Sequence, residues 1–152
     1  SGENFDGKNN IEAKKNFQEL LNRFPESEYA KDSRQKLIFI NENIAAKDME
    51  VAIFYLNQKQ YLAALGRYNK VIEKYPKSKF IPEALYRLVE IYTILGMEEE
   101  AEKAASVIVY NYPKSVWYEE SYNLINEEYY KKNKVTLRKK IFNLFKKNEP
   151  TE

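Results

Sequence analysis

The sequence predicts an all-α protein in which helix hairpins stack into a solenoid, and three observations support this. Only four glycines and five prolines occur in 152 residues, too few for the many tight turns of an all-β protein. The pattern aromatic–Pro–x–Ser occurs three times, at residues 24–27, 75–78 and 112–115. Each copy follows an amphipathic segment whose apolar residues recur at helical spacing. Because proline stops a helix, the three copies indicate a repeated helical unit.

The first predicted element is a partial repeat at residues 10–25. Its apolar residues Ile11, Phe17 and Leu20 form a stripe that ends at Pro25, as in the second helix of a hairpin. The sequence opens with Ser-Gly, which resembles a cloning remnant, and its pattern starts inside a repeat. We therefore expect a fragment of a longer protein.

The next element is a long helical stretch, because residues 28–57 contain no glycine or proline and keep a helical period. Ser27 is its predicted N-cap, since a serine hydroxyl accepts a hydrogen bond from the first helical turn. One interpretation is a single helix of about 28 residues, roughly 42 Å long at ~1.5 Å per residue. The alternative is a break near residues 46–48 with Asp48 as a cap. We favour the single helix.

From residue 45 onward the chain fits the register of a tetratricopeptide repeat, a helix–turn–helix unit of about 34 residues. Repeats are predicted at about residues 28–76 and 79–113. Ala64 and Ala101 are small where the two helices of a hairpin approach closely, and Gly96 is expected in a turn. The other register positions are mostly apolar or aromatic: Asp48, Val51, Ala52, Tyr55, Tyr61, Tyr68, Val71, Leu85, Leu88, Val89, Tyr92, Ala105 and Ile108.

The last part of the chain is predicted to contain a cap and a tail. A capping helix is expected at residues 116–130, because a terminal repeat faces solvent on one side. Residues 131–152 form a basic amphipathic tail in which lysines and apolar residues interleave. We favour packing of this tail across the end of the stack, with a membrane surface as the alternative. Nucleic acid is the weakest interpretation, because the positive charge is confined to one end.

The composition argues against catalysis. The chain has no cysteine and no histidine, which removes thiol nucleophiles, thiolate metal sites and the usual general base near neutral pH. The acidic run at residues 98–100 is explained by the favourable interaction of negative charge with a helix N-terminus. There is no glycine-rich phosphate loop or metal-ligand spacing, and the net charge of +2 gives no general attraction to nucleic acid. We predict a non-enzymatic protein without cofactor or metal.

Four residues are candidates for a partner-binding surface. Arg67 is a candidate because a guanidinium is a rigid donor of two parallel hydrogen bonds and suits a partner-facing surface. Its neighbour Gly66 lies inside a helix, which suggests close approach by another backbone. An exposed arginine beside a tolerated glycine is the alternative. Arg87 is a weaker candidate of the same kind, and Tyr110 lies outside the repeat register, where an exposed tyrosine suits an interface.

Several short segments carry a family resemblance: Phe-Tyr-Leu at residues 54–56, Tyr-Leu-Ala-Ala at 61–64, Arg-Tyr at 67–68, Glu-Ala-Leu-Tyr-Arg-Leu at 83–88 and Tyr-Asn-Tyr-Pro-Lys-Ser at 110–115. Together they resemble the BamD family over about residues 10–125. That family comprises tetratricopeptide-repeat lipoproteins of the outer-membrane β-barrel assembly machinery. The resemblance implies that this chain is the C-terminal part, beginning in the third of five repeats.

The resemblance also implies a place in the cell and a partner. It implies a periplasmic protein tethered to the outer membrane by a lipidated N-terminal cysteine, which this sequence lacks. It implies that the C-terminal repeats contact BamA through its last periplasmic POTRA domain, and that Arg67 belongs to the contact region. We therefore predict a scaffold that docks BamA and other subunits during β-barrel insertion. The alternative is a generic tetratricopeptide-repeat adaptor that binds an extended peptide in its concave groove.

Overall fold

The computed structural model describes residues 3–132 and the side chains of residues 8–124. Its helices are α1 Glu3–Arg23, α2 Glu28–Asn57, α3 Tyr61–Lys74, α4 Ile81–Leu95, α5 Glu98–Asn111 and α6 Val116–Lys132. Helix α2 contacts α1 and α3, α4 contacts α3, α5 and α6, and α5 also contacts α6. Two hairpins, α2–α3 and α4–α5, therefore stack with α6 beside the second. The predicted all-α solenoid is confirmed.

Helix α2 is continuous over 30 residues, so the single-helix interpretation is confirmed. Its length is roughly 45 Å at ~1.5 Å per residue. Ala45 and Met49, in its C-terminal half, belong to the main hydrophobic core. Ala30 and Leu37, in its N-terminal half, are buried outside that core. Because α2 contacts both α1 and α3, one helix joins the first segment of the chain to the repeat stack.

Helix α1 covers the predicted partial repeat and extends beyond it. It begins at Glu3 rather than at residue 10, and it ends at Arg23, just before Pro25. The segment before residue 10 is polar, so it gave no apolar stripe by which to place the start of the helix. A helix that has been nucleated extends through polar residues at little cost, since each added residue gains a backbone hydrogen bond.

The three aromatic–Pro–x–Ser stops fold in the same way. In each, the serine N–H donates to the carbonyl of the aromatic residue, at 3.2, 2.9 and 3.1 Å in chain order. The serine carbonyl then accepts from the N–H three residues later, at 3.0, 3.2 and 3.1 Å. Ser27 is the predicted N-cap of α2, and its Oγ accepts from the Ala30 N–H at 3.1 Å. Each stop thus ends one helix and starts the next.

The second stop is also bonded to α2. The Glu42 carboxylate accepts from the Ser78 hydroxyl at 3.0 Å and from the Lys79 N–H at 3.1 Å. The Phe80 N–H in turn donates to Ser78 Oγ at 3.2 Å. Side-chain acceptors of this kind satisfy backbone donors that a helix start leaves without helical partners. These bonds fix the start of α4 to the middle of α2, in the preceding hairpin.

Helices α3 and α5 are equivalent parts of successive hairpins. Each has 14 residues, and their first residues, Tyr61 and Glu98, are 37 positions apart. Ala64 and Ala101 occupy matching positions and are 0% and 1% exposed, as expected for small residues where helices approach closely. The ring of Tyr68 fills the adjacent core and is also buried. The offset of 37 positions therefore pairs residues of one hairpin with their counterparts in the next.

Helix α6 occupies the predicted cap. Within residues 116–124 of this helix, Ser121 is fully buried, and its hydroxyl donates to the Trp117 carbonyl at 2.7 Å. Tyr118, Tyr122 and Leu124 pack against the main core. Beyond residue 132 the predicted basic tail lies outside the described residues. Within residues 3–132, every helix is too short or too polar to cross a bilayer.

Two glycines allow a matched test of this backbone. Gly96 ends α4 with φ +71°, in the left-handed region, whereas Gly66 lies inside α3 with no atom within 4 Å of a built Cβ. We expect Gly96→Ala to lower the free energy of unfolding by about 1 kcal/mol or more. Gly66→Ala should raise it by up to about 1 kcal/mol, because alanine favours the helix. Urea denaturation measures both, and changes of the same sign would contradict this backbone.

A second test concerns Tyr68. Burial raises the pKa of Tyr68 from 10.0 to about 12. The folded state therefore holds this proton more tightly than the unfolded state does. Its contribution to stability is fully present below pH 10 and is lost as the pH rises through about 12. We expect Tyr68→Phe to lose less stability than the wild type over this interval. Tyr110→Phe, on an exposed ring, is the control, and equal losses in both variants would contradict the assignment.

Candidate partner-binding surface

The candidate surface is built around Asp48, a buried carboxylate inside α2. The residue is 5% exposed. It occupies a first-helix register position whose counterpart in the next hairpin, 37 positions later, is the apolar Leu85. A buried carboxylate is costly unless it is paired and hydrogen-bonded. The structure supplies that pairing from α3, so Asp48 bridges two helices instead of capping one.

Arg67 and Lys70 pair with Asp48 from one face of α3. Residues three apart on a helix lie side by side, so both cations reach the same carboxylate. Arg67 Nη1 lies 3.0 Å from Oδ1 of Asp48. Lys70 Nζ lies 2.8 Å from Oδ2 and 3.0 Å from Oδ1. The cluster of Asp48, Arg67 and Lys70, called here the charge triad, carries one excess positive charge.

Both cations of the charge triad remain accessible to solvent. Their side chains are 41% exposed for Arg67 and 44% exposed for Lys70, against 6% for the Asp48 side chain. A guanidinium has five N–H donors, so an ion pair through Nη1 leaves further donors for another acceptor. The triad therefore presents positive charge at the surface while its negative charge is buried.

Gly66 lies beside the charge triad on the exposed side of α3. A Cβ at this position would meet no neighbouring atom within 4 Å, so no helix within residues 3–132 explains the glycine by close approach. Leu62, one turn earlier, is 77% exposed. Leu62, Gly66 and Lys70 are spaced four apart and share one face of the helix. This face combines an apolar side chain, an open backbone and the cation of Lys70, and Arg67 lies next to it.

Arg87 lies in a different environment, at the junction of α4 and α6. Its Nη1 donates to Glu90 Oε2 at 2.9 Å. Its guanidinium carbon lies 5.3 Å from the centre of the Tyr86 ring and 5.7 Å from that of Trp117. The two rings are themselves 5.2 Å apart. Contacts of this kind are favourable between a cation and an aromatic face. Arg87 therefore contributes to holding the capping helix against the stack.

The protonation of Arg87 follows from the same contacts. Burial lowers the pKa of its guanidinium, but the hydrogen bond and the charge of Glu90 outweigh that effect and raise the pKa overall. The side chain is only 22% exposed. Arg87 stays a candidate for partner binding. Its guanidinium, however, contacts a carboxylate and two aromatic rings of the chain, whereas that of Arg67 contacts a carboxylate.

Tyr110 lies on the last turn of α5 and is 59% exposed. It is on the face opposite the buried residues Ala101, Ala105 and Ile108. By the offset between hairpins it corresponds to an exposed position of α3, residue 73. The four sequence candidates therefore do not converge on one point. Gly66 and Arg67 are adjacent, whereas Arg87 and Tyr110 lie on other helices.

Asp48 and Lys70 were not identified as site residues from the sequence. The available signal was an acidic residue at a register position that is Leu85 in the next repeat. Two cations three residues apart on the partner helix would then have suggested pairing. Among the residues that the structure describes, no group of three or more His, Cys, Asp or Glu side chains is placed to hold a metal.

Comparison with known proteins gives the family. Residues 2–107 match the model of the YfiO family, described as an outer membrane lipoprotein. The chain belongs to this family. It is 41% identical over 122 residues to the outer membrane protein assembly factor BamD of Rickettsia prowazekii, covering 80% of this chain and 49% of that protein. The BamD of Caulobacter vibrioides is 40% identical over 111 residues, 73% of this chain and 36% of the relative.

A more distant relative of the family has the same name. The BamD of Neisseria gonorrhoeae is 34% identical over 110 residues, which is 72% of this chain and 41% of that protein. The predicted membership of the BamD family is thus confirmed. The chain spans less than half the length of these relatives, between 36% and 49%.

The charge triad makes a prediction about stability. Asp48→Ala removes both ion pairs and should lower the free energy of unfolding by about 1–3 kcal/mol, since hydrogen bonds to a charged group are lost. The triple variant D48L/R67A/K70V installs the residues of the next hairpin, Leu85, Ala104 and Val107. It should be within about 1 kcal/mol of the wild type or more stable, because apolar replacement of a whole buried ion pair is often neutral.

Denaturant melts of both variants check this expectation. Asp32→Ala is the matched control, because it removes an exposed pair with Lys36 at 2.9 Å whose two side chains are 60% and 54% exposed. It should cost less than about 1 kcal/mol. A triple variant that unfolds, or an Asp48→Ala variant as stable as the control, would contradict the structural account of the triad.

Proposed function

We propose that the chain is a non-enzymatic scaffold of the outer-membrane protein assembly machinery that docks BamA. The observation that carries the proposal is membership of a family whose relatives are named outer membrane protein assembly factors. A stack of helix hairpins supports it, because such solenoids offer extended surfaces to other proteins. The last POTRA domain of BamA is the proposed point of contact, as the family resemblance implies.

The face of α3 around Arg67 is the proposed docking surface. Arg67 is held by Asp48 at 3.0 Å, so less conformational freedom is lost when it binds. The adjacent Gly66 lets a partner approach the helix backbone, with no side chain in between. Tyr110, with its exposed ring, is proposed as a second contact on α5. Arg87 is proposed only as a contributor at the rim, since it already pairs within the chain.

A non-enzymatic role fits the chemistry of the chain. Without histidine and cysteine, a general base or a nucleophile would have to come from carboxylates, lysines or hydroxyls. The charge triad carries one excess positive charge and suits recognition of an acidic group. The surface is therefore proposed to bind, not to transform, its partner.

The proposed location is the periplasmic face of the outer membrane. Membrane attachment is proposed to pass through a lipidated cysteine at the N-terminus of the whole protein, as the resemblance implies. The 152 residues contain no cysteine, so this attachment belongs to sequence outside them.

Charge reversal at Arg67 tests this function. Titrating the chain with the periplasmic POTRA domains of its cognate BamA should show binding at tens of micromolar or below, corresponding to about −6 kcal/mol or better. Arg67→Glu should weaken binding at least tenfold. It also places a carboxylate beside the buried Asp48, so we expect a lower melting temperature with the helicity retained at the assay temperature. The readout is isothermal titration calorimetry together with circular dichroism.

Arg23→Glu is the matched control, since Arg23 is an exposed arginine on α1 whose contact with Glu19 spans 3.9 Å. It should leave the affinity unchanged. Gly66→Ala adds a single methyl group to the same face, and weakened binding by this stabilised variant would show that a partner approaches the backbone there. A folded wild-type chain that does not bind at these concentrations would overturn the proposed function.

A further inference from the structure

The charge triad is asymmetric in how it shares its carboxylate. Lys70 Nζ contacts both oxygens of Asp48, at 2.8 and 3.0 Å, whereas Arg67 reaches Oδ1 alone. The two cations are similarly exposed, at 41% for Arg67 and 44% for Lys70, so the asymmetry lies in their contacts with Asp48. Both hydrogen bonds go to Oδ1, and within the described side chains Oδ2 has only the ion-pair contact with Lys70. Lys70 therefore keeps the buried carboxylate paired if Arg67 leaves, and Arg67 has a single contact to lose.

This asymmetry matters because an uncompensated buried charge is expensive. Breaking a buried pair by removing one partner costs several kilocalories per mole, since the remaining ion loses its compensation. In the triad, departure of Arg67 leaves Asp48 still paired with Lys70. Arg67 is thus able to exchange its acceptor at a smaller cost than in a simple two-residue ion pair.

We infer that Asp48 and Lys70 are positioning residues, with Asp48 holding Arg67 ready and Lys70 keeping Asp48 paired when Arg67 turns to an acidic side chain of the partner. The inference rests on the proposed function. A carboxylate is the group that fits, because the triad carries one excess positive charge and a guanidinium binds carboxylates in two-pronged geometry. The binding reaction is an exchange of salt bridges, in which Arg67 gains a second acceptor or replaces the first.

Comparison of the two hairpins supports a role beyond packing. At the positions of Asp48, Arg67 and Lys70 the next hairpin has Leu85, Ala104 and Val107. Helices α3 and α5 nevertheless have the same length of 14 residues, and each is the second helix of its hairpin. The stack therefore forms with or without charges at these positions, and the triad supplies something that the fold itself does not need.

The variant Asp48→Asn distinguishes two roles of the triad, positioning of Arg67 and general attraction by positive charge, because the two roles predict opposite changes in binding affinity. If the triad acts only as positive charge, removal of its anion should tighten binding to an acidic partner. If Asp48 positions Arg67, Asp48→Asn should weaken binding to the POTRA domains of BamA by about threefold or more, within the range of coupling between residues in one ion-pair network. The loss should appear in the dissociation rate, with an association rate unchanged or faster.

Double-mutant cycles then assign the effect to the individual residues. Asp48→Asn should have no effect in an Arg67→Ala background, because the residue that it positions is absent. Lys70→Met should weaken binding about threefold or more in the wild-type background and much less in an Asp48→Asn background. Equal effects of Lys70→Met in both backgrounds would mean that Lys70 contacts the partner directly, and would overturn its assigned role.

The experiment separates failure of this inference from failure of the proposed function. Wild-type chain that binds, with Asp48→Asn unchanged or tighter, overturns the inference alone. Wild-type chain that does not bind overturns the proposed function. The variant D48L/R67A/K70V, which carries the residues of the next hairpin, should fold and should lose binding at least tenfold. A normal affinity in this folded variant would show that the triad is not part of the interface.

Discussion

The structure depends on unbroken helical hydrogen bonding through residues 28–57. This one helix contacts both α1 and α3. Its residue Glu42 accepts a hydrogen bond from the chain just before α4, and its residue Asp48 forms an ion pair with α3. A break near residues 46–48 would separate the part that meets α1 from the part that meets α3. Neither Gly nor Pro interrupts the segment, and helix propagation is cooperative once it is nucleated. The position of the charge triad is therefore a consequence of the length of α2.

Much of the architecture was predictable because short sequence patterns determine where the helices begin and end. The stops at residues 24–27, 75–78 and 112–115 place three helix boundaries, and the continuity of α2 follows from its composition. The start of α1 was placed too late, at residue 10 instead of Glu3, because polar residues leave no periodic signal. Local pattern therefore gives elements and stops reliably, but it does not locate a helix end whose sequence has no periodic apolar signal.

The candidate site was only half predictable, for a physical reason. Arg67 and Gly66 are neighbours in the chain, so their proximity needed no structure. The pairing of Arg67 with Asp48 spans 19 positions and exists only because α2 and α3 pack at one particular register. The same holds for Arg87, whose ring partner Trp117 lies on another helix. Two arginines in similar sequence settings thus acquire different roles, one exposed beside an anion and one partly buried between rings.

The bonds of Glu42 have a consequence for how the chain loses its structure. In many solenoids each repeat is a nearly independent unit, and unfolding spreads from an end. Here the start of α4 is held by a side chain of α2, at 3.0 and 3.1 Å, so the second hairpin has a point of attachment inside the first. Fraying of either hairpin then removes support from the other. We therefore expect the two hairpins to lose their structure together more often than hairpins that are joined by apolar packing alone.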